Sequence, residues 1–147
     1  MSRLWLAALG AAIIACGDDD SSGGPNDIFP NVAGVYALQG EFDNLDPTTN
    51  FFLGSLTIEQ ESLESSLLTG TADITITSPS VPSGSSTITS AELLDASVSL
   101  AGEVVFSIEQ GGVTWDFRGD RGGDVIEGDH TVTQGAQTLT GTWSAER

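Results

Sequence analysis

Gly70-Thr71-Ala72-Asp73-Ile74-Thr75-Ile76-Thr77 is the stretch on which the fold turns. In an extended chain Ala72, Ile74 and Ile76 share one face, and Thr71, Asp73, Thr75 and Thr77 share the other. A period of two held this long marks a strand with one side buried. Val113-Thr114-Trp115-Asp116-Phe117-Arg118 repeats the pattern, with Val113, Trp115 and Phe117 inward. Leu139-Thr140-Gly141-Thr142-Trp143-Ser144 does so again, with Leu139 and Trp143 inward.

Extending outward, the same alternation predicts eight strands, close to 34–42, 51–60, 67–77, 86–92 with room to run on towards Leu94, 96–100 joined to 103–109, 113–118, 125–133 and 138–145. Turn formers separate them: Asp43-Asn44 and Asp46-Pro47, Pro79, Pro82-Ser83-Gly84, Ala101-Gly102, Gln110-Gly111-Gly112, Asp120-Arg121-Gly122-Gly123 and Gln134-Gly135. Connectors this short make neighbours in sequence antiparallel neighbours in space. The pattern predicts no long helix and leaves room for a helical turn at 61–66 or 91–95. The expected class is therefore all-β, as an eight-stranded antiparallel up-and-down barrel, with a β-sandwich as the alternative. The regular hairpin spacing and the lack of a crossover favour the barrel. The outward face is Thr, Ser and Asp, where a membrane-spanning barrel would need an apolar band.

Composition bounds the rest. A chain of 147 residues with 39% hydrophobic residues and a mean hydropathy of +0.04 suits one folded domain. There are 21 Asp and Glu against four basic residues, all arginine, and lysine is absent. So acidic a chain repels phosphate backbones, and no nucleic-acid partner is expected.

The N-terminus has a different logic. Met1-Ser2-Arg3 is followed by an apolar run from Leu4 to Ala15 and then by Cys16, the only cysteine. A basic start and about twelve apolar residues fit an export signal and are short for a bilayer span. Gly17 to Asp27, GDDDSSGGPND, lacks apolar periodicity and reads as an acidic tether. The expected organisation is a signal peptide over 1–15, a lipidated cysteine and tether over 16–31, and a barrel over 32–147.

Ile13-Ile14-Ala15-Cys16 resembles the lipobox of bacterial lipoproteins: an aliphatic residue, a tolerated one, a small one, then the modified cysteine. The resemblance implies cleavage between Ala15 and Cys16, acylation of Cys16, and a membrane partner held through that lipid in the bacterial cell envelope. Gly17 directly after the cysteine, with the aspartates following later, favours the outer membrane over the inner by the same resemblance. Once the signal leaves with Arg3, three arginines face 21 acids, a net of −18.

A second resemblance concerns the domain. Gly34-Val35-Tyr36, Trp115-Asp116-Phe117-Arg118-Gly119 and Gly141-Thr142-Trp143-Ser144 resemble strands of the lipocalin- and avidin-like small barrels. The likeness covers about 32–147. Where lipocalins carry Gly-x-Trp in the first strand, this chain has Tyr36.

The search for chemistry yields little. His130 shares a face with Ile126 and Val132, which points it inward as a packed core residue. No Gly-x-Ser-x-Gly elbow, phosphate-binding glycine loop or zinc ligand set is present, and no enzyme, catalytic residue, metal or cofactor is expected. Gly122 to Asp129 reads as a hairpin turn, because calcium-binding glycine repeats need tandem copies. Arg118 is expected to pair with Asp116 or Glu127. Tyr36, Phe106, Trp115, Phe117 and Trp143 supply the large inward surfaces. They either line a cavity for a small apolar molecule or lipid, or they fill the barrel. The first reading makes the chain a non-enzymatic carrier. The second makes it a structural or interaction protein with a packed interior and an acidic surface.

Overall fold

A computed structural model describes residues 27–79 and 86–147 of the chain. The expected signal peptide, Cys16 and the expected tether as far as Asn26 lie outside the described residues. Nine strands are described: β1 (Gly34–Phe42), β2 (Phe51–Glu59), β3 (Thr69–Thr77), β4 (Ser86–Glu92), β5 (Leu94–Val98), β6 (Glu103–Gln110), β7 (Val113–Gly122), β8 (Val125–Gln134) and β9 (Gln137–Glu146). They form one antiparallel sheet in the order β4-β3-β2-β1-β9-β8-β7-β6-β5.

The sheet curls into a nearly closed barrel. Its two edges, β4 and β5, are consecutive in the chain, with Leu93 alone between them. The seam is tied where Leu67 bridges Ser97. There the Leu68 N–H donates to the Ala96 carbonyl at 3.0 Å and the Val98 N–H to Ser66 at 2.8 Å. β4 and β5 thus act as one bent strand, paired first with β3 and then with β6. The barrel has eight positions around its girth, as the alternation predicts, built from nine strands.

The bend has a local cause. Between Ala72↔Ala91 and Ile74↔Ile88, three steps on β4 oppose two on β3; between Leu94↔Ser107 and Ser97↔Val105, three on β5 oppose two on β6. Each extra residue makes a bulge. Ser90 and Asp95 absorb them at φ near +50°, where a short polar side chain is tolerated better than a bulky one. The Ser90 N–H is taken by Asp73 Oδ1 at 2.8 Å.

One expected element is corrected. Residues 96–100 do not join 103–109; a tight turn reverses the chain, with Gly102 N–H donating to Ser99 at 3.0 Å and Ser99 N–H to Glu103 at 2.8 Å. Nor is 61–66 helical: it is a turn closed by Ser65 N–H on Ser62 at 3.1 Å. Residues 91–95 belong to the bend of β4 into β5.

Strand direction sorts the connections between two ends. The near end carries the lead-in 27–33, the loop 60–68, the turns 99–102 and 123–124, and the C-terminus. The far end carries 43–50, 111–112 and 135–136. Phe29 and Val32 fold in from the lead-in to plug the near end, and the Tyr36 hydroxyl donates to the Val32 carbonyl at 2.7 Å. Arg147 closes over it, pairing with Asp124 at 2.9 Å and donating to the Ala33 carbonyl at 2.8 Å.

Candidate functional site

Alternation sends one side chain of every pair into the barrel, and its central layer receives the largest residues of five strands. Phe106 from β6 stacks on Phe117 from β7 with centroids 4.7 Å apart, and Trp115 stacks on Phe117 at 6.0 Å. Trp143 from β9 meets Phe106 at 5.7 Å and Phe117 at 5.4 Å, both edge to face. Four of the five expected lining residues therefore converge. Tyr36 is also buried but stands apart at the near end, under the Arg147 guanidinium at 5.6 Å. Phe42 and Phe52 complete the layer from β1 and β2, Phe52 lying 5.3 Å from Trp115 and Phe42 6.0 Å from it.

His130 sits in the middle. It is 2% exposed and is surrounded by Phe42, Phe52, Trp115 and Phe117, with centroid distances of 5.3, 5.1, 5.9 and 6.0 Å. Neither ring nitrogen has a hydrogen-bond partner within the protein, and the same holds for Trp115 Nε1. Burial pushes the imidazole down to about 4, against the opposing pull of the Asp43 carboxylate, of the Thr142 backbone, which lies near the ring without closing a hydrogen bond, and of the Asp129 carboxylate. His130 is thus neutral at pH 7, shut behind rings, and out of reach of any substrate at the surface.

Small residues make room for the large ones. Gly119 and Gly128 face each other across β7 and β8, and a β-carbon on Gly128 would stand 2.1 Å from the Arg118 carbonyl oxygen. The Trp143 indole covers this glycine pair. Its Nε1–H donates to the carbonyls of Arg118 at 3.1 Å and Asp129 at 3.0 Å. Trp143 therefore seals the wall as well as lining the interior, which is how aromatic residues rescue glycine in sheets.

The open spaces described are on the outside. A groove of about 660 Å³ crosses β2, β1, β9 and β8, with Gly40, Gly128, Phe52 and Trp143 in its floor and Glu41, Leu53, Glu127 and Asp129 on its sides. A smaller one, about 410 Å³, runs over β6, β7 and β8 past Asp95, Asp116, Arg118 and Thr131, with Phe106 and Phe117 also in its lining. Arg118 does not take Asp116 or Glu127 as its partner: its guanidinium reaches Glu103 on β6 at 3.0 Å, with both side chains exposed. Among the described residues no three of His, Cys, Asp and Glu converge to hold a metal ion. No family model matches the chain, and no curated protein sequence matches it.

Sequence reasoning missed Phe42 and Phe52 as members of the central layer. The signal was present, because both share the inward phase of Tyr36 and Leu38 or of Leu56 and Ile58.

Proposed function

We propose that the chain is a lipid-anchored, non-enzymatic protein of the cell envelope whose barrel works through its outer surface, as an interaction module, and not as a container. One observation carries the choice between container and module: the central layer is occupied by rings in mutual contact. A cavity for a drug-sized molecule runs to about 300 Å³ or more of concave, mostly apolar space. Among the described residues the comparable spaces are open ones with carboxylates on their rims. An acidic exterior suits a partner that brings positive charge.

The anchor is supported by Ile13-Ile14-Ala15-Cys16 and by the apolar run before it. Two or three acyl chains on one thiol give stable membrane attachment, at about 0.8 kcal/mol for each buried methylene. The Cys16→Ser chain is expected to lose its lipid and its processing before residue 16, seen by mass spectrometry of the mature protein. Acylation and cleavage persisting in that variant overturn the anchor. Native mass spectrometry of the full chain tests the solid interior, with the peptide and its acyl groups as the expected mass. A retained apolar metabolite restores the carrier.

A further inference from the structure

Seven large apolar side chains are exposed among the described residues, and five of them belong to the near end: Ile28, Val35, Leu63, Leu67 and Leu100, each between 43% and 70% exposed. They come from segments far apart in the chain, and backbone contacts bring those segments together. The Phe29 N–H donates to Leu63 at 2.7 Å, and Val98 N–H to Ser66 at 2.8 Å. A β-carbon at Gly102 would stand 3.8 Å from Pro30. The described far-end turns are Asp, Asn, Thr and Gly with Leu45, Pro47 and Ala136, none of them a large exposed apolar residue, and the nearest such residue to that end is Leu53 on β2. Single exposed leucines are ordinary on a protein surface, but a group of them on one rim marks a contact site.

We infer that this rim is seated among the headgroups and upper acyl chains of the bilayer that carries the lipid on Cys16, so that the barrel stands on the membrane by its near end. The inference rests on the anchor reading for the nearness of the bilayer, and on the barrel itself for the seat. Eleven peptide bonds separate Cys16 from Asp27, a stretch that reaches at most ~40 Å in any conformation. Asp27 joins Ile28 directly, so the rim is the part of the barrel delivered to the lipid surface. Tethering at this range gives an effective concentration in the millimolar range, at which a few partly buried aliphatic chains suffice.

Charge selects the lipid. Asp27, Glu61 and Glu64 flank Ile28 and Leu63, and against these carboxylates the near end sets Arg121, beside Gly102, while Arg118 and Arg147 are engaged by Glu103 and Asp124. Such a rim is repelled by anionic headgroups and tolerated by zwitterionic ones, whose ammonium groups meet the carboxylates.

The test uses the full chain, purified with its lipid and placed in phosphatidylcholine–phosphatidylethanolamine vesicles. A polarity-sensitive dye is attached through Leu67→Cys at the rim or Ala136→Cys at the far end. Mass spectrometry reports whether Cys16 is acylated or has taken dye itself. The rim dye is expected to shift blue and to be roughly fivefold less accessible to aqueous iodide than the far-end dye. Adding Ile28→Ser, Leu63→Ser and Leu100→Ser should remove that protection while the protein stays on the vesicles. Equal accessibility of both dyes in an acylated chain overturns the seat and leaves the anchor standing. Protection lost on diluting the protein at constant lipid identifies a second copy as the occupant and also overturns it. An unacylated chain overturns the anchor, and the seat then stands or falls on whether the Leu67 dye is still protected on vesicles.

Discussion

The central layer of the barrel and its near rim break the same rule in opposite directions. The centre hides polar atoms, three ring nitrogens of His130 and Trp115 with no partner in the protein. The rim shows apolar chains to solvent. A buried unpartnered polar group costs about 1–3 kcal/mol. Packing offsets that in the centre, because aromatic pairs add about 0.5–1.5 kcal/mol each beyond area burial, and His130 touches four rings. The rim gains nothing comparable inside the molecule. A departure from the rule that packing compensates serves the fold; one that it does not compensate finds its use outside.

Breaking the central layer should therefore have the largest effect on stability. Trp115 is fully buried and contacts Phe42, Phe52, Phe117 and His130. Trp115→Ala leaves a cavity bounded by strands on both sides of the barrel, where collapse is resisted by the closed ladder. A loss of about 4 kcal/mol in denaturant unfolding is expected. A loss below about 1 kcal/mol would mean that the centre is loosely filled, and would reopen the carrier reading.

The next effect is pH-dependent. The imidazole of His130 is held at about 4 when folded, against 6.5 as the ordinary value. The unfolded chain takes up the proton first, so the stability owed to the neutral ring is complete above pH 6.5 and is lost as pH falls towards 4. The size is about 3 kcal/mol, taking 1.36 kcal/mol for each unit. Acid also discharges the carboxylates, so the measure is the difference between the protein and His130→Phe at each pH. That difference should grow by about 3 kcal/mol in favour of the variant between pH 8 and pH 4. A constant difference would show that His130 is protonated as easily inside as outside, and the centre would then be wet.

Much of this was legible in the sequence, and the failures have physical causes. Strict alternation at 70–77 and 113–118 assigned the faces correctly, and His130 lies inward as its neighbours Ile126 and Val132 require. Alternation failed between 86 and 98, where the buried positions run Ile88, Ala91, Ala96, Val98. The bulges at Ser90 and Asp95 each shift the phase by one residue, so a period of two cannot persist across them. Without that phase, the pattern carries β4 only as far as Leu94 and joins 96–100 across Ala101-Gly102 to β6. The central layer was partly legible, since inward phase is a local property. Which rings touch is set by the closure of β1 on β9 and lies beyond local pattern. The rim was illegible for the same reason: the up-and-down order of the strands brings the segments of Ile28, Leu63 and Leu100 to one end of the barrel.

The smallest expected effect on stability completes the contrast. Leu67 is the most exposed of the rim residues, at 70%. Its backbone bridges Ser97 at the seam, and that bridge does not depend on the side chain. Leu67→Ser in the detergent-solubilised protein should change unfolding stability by no more than about 0.5 kcal/mol, as for surface positions without special contacts. The same substitution on vesicles removes one aliphatic contact with lipid and should lower stability measured there, because a surface that binds only the folded state adds to its stability by mass action. A substitution silent in detergent and felt on lipid assigns Leu67 to the membrane. Equal losses in both media would instead make it a seam residue that holds 66–68 against β5, and would move the boundary between core and rim inward by one turn of chain.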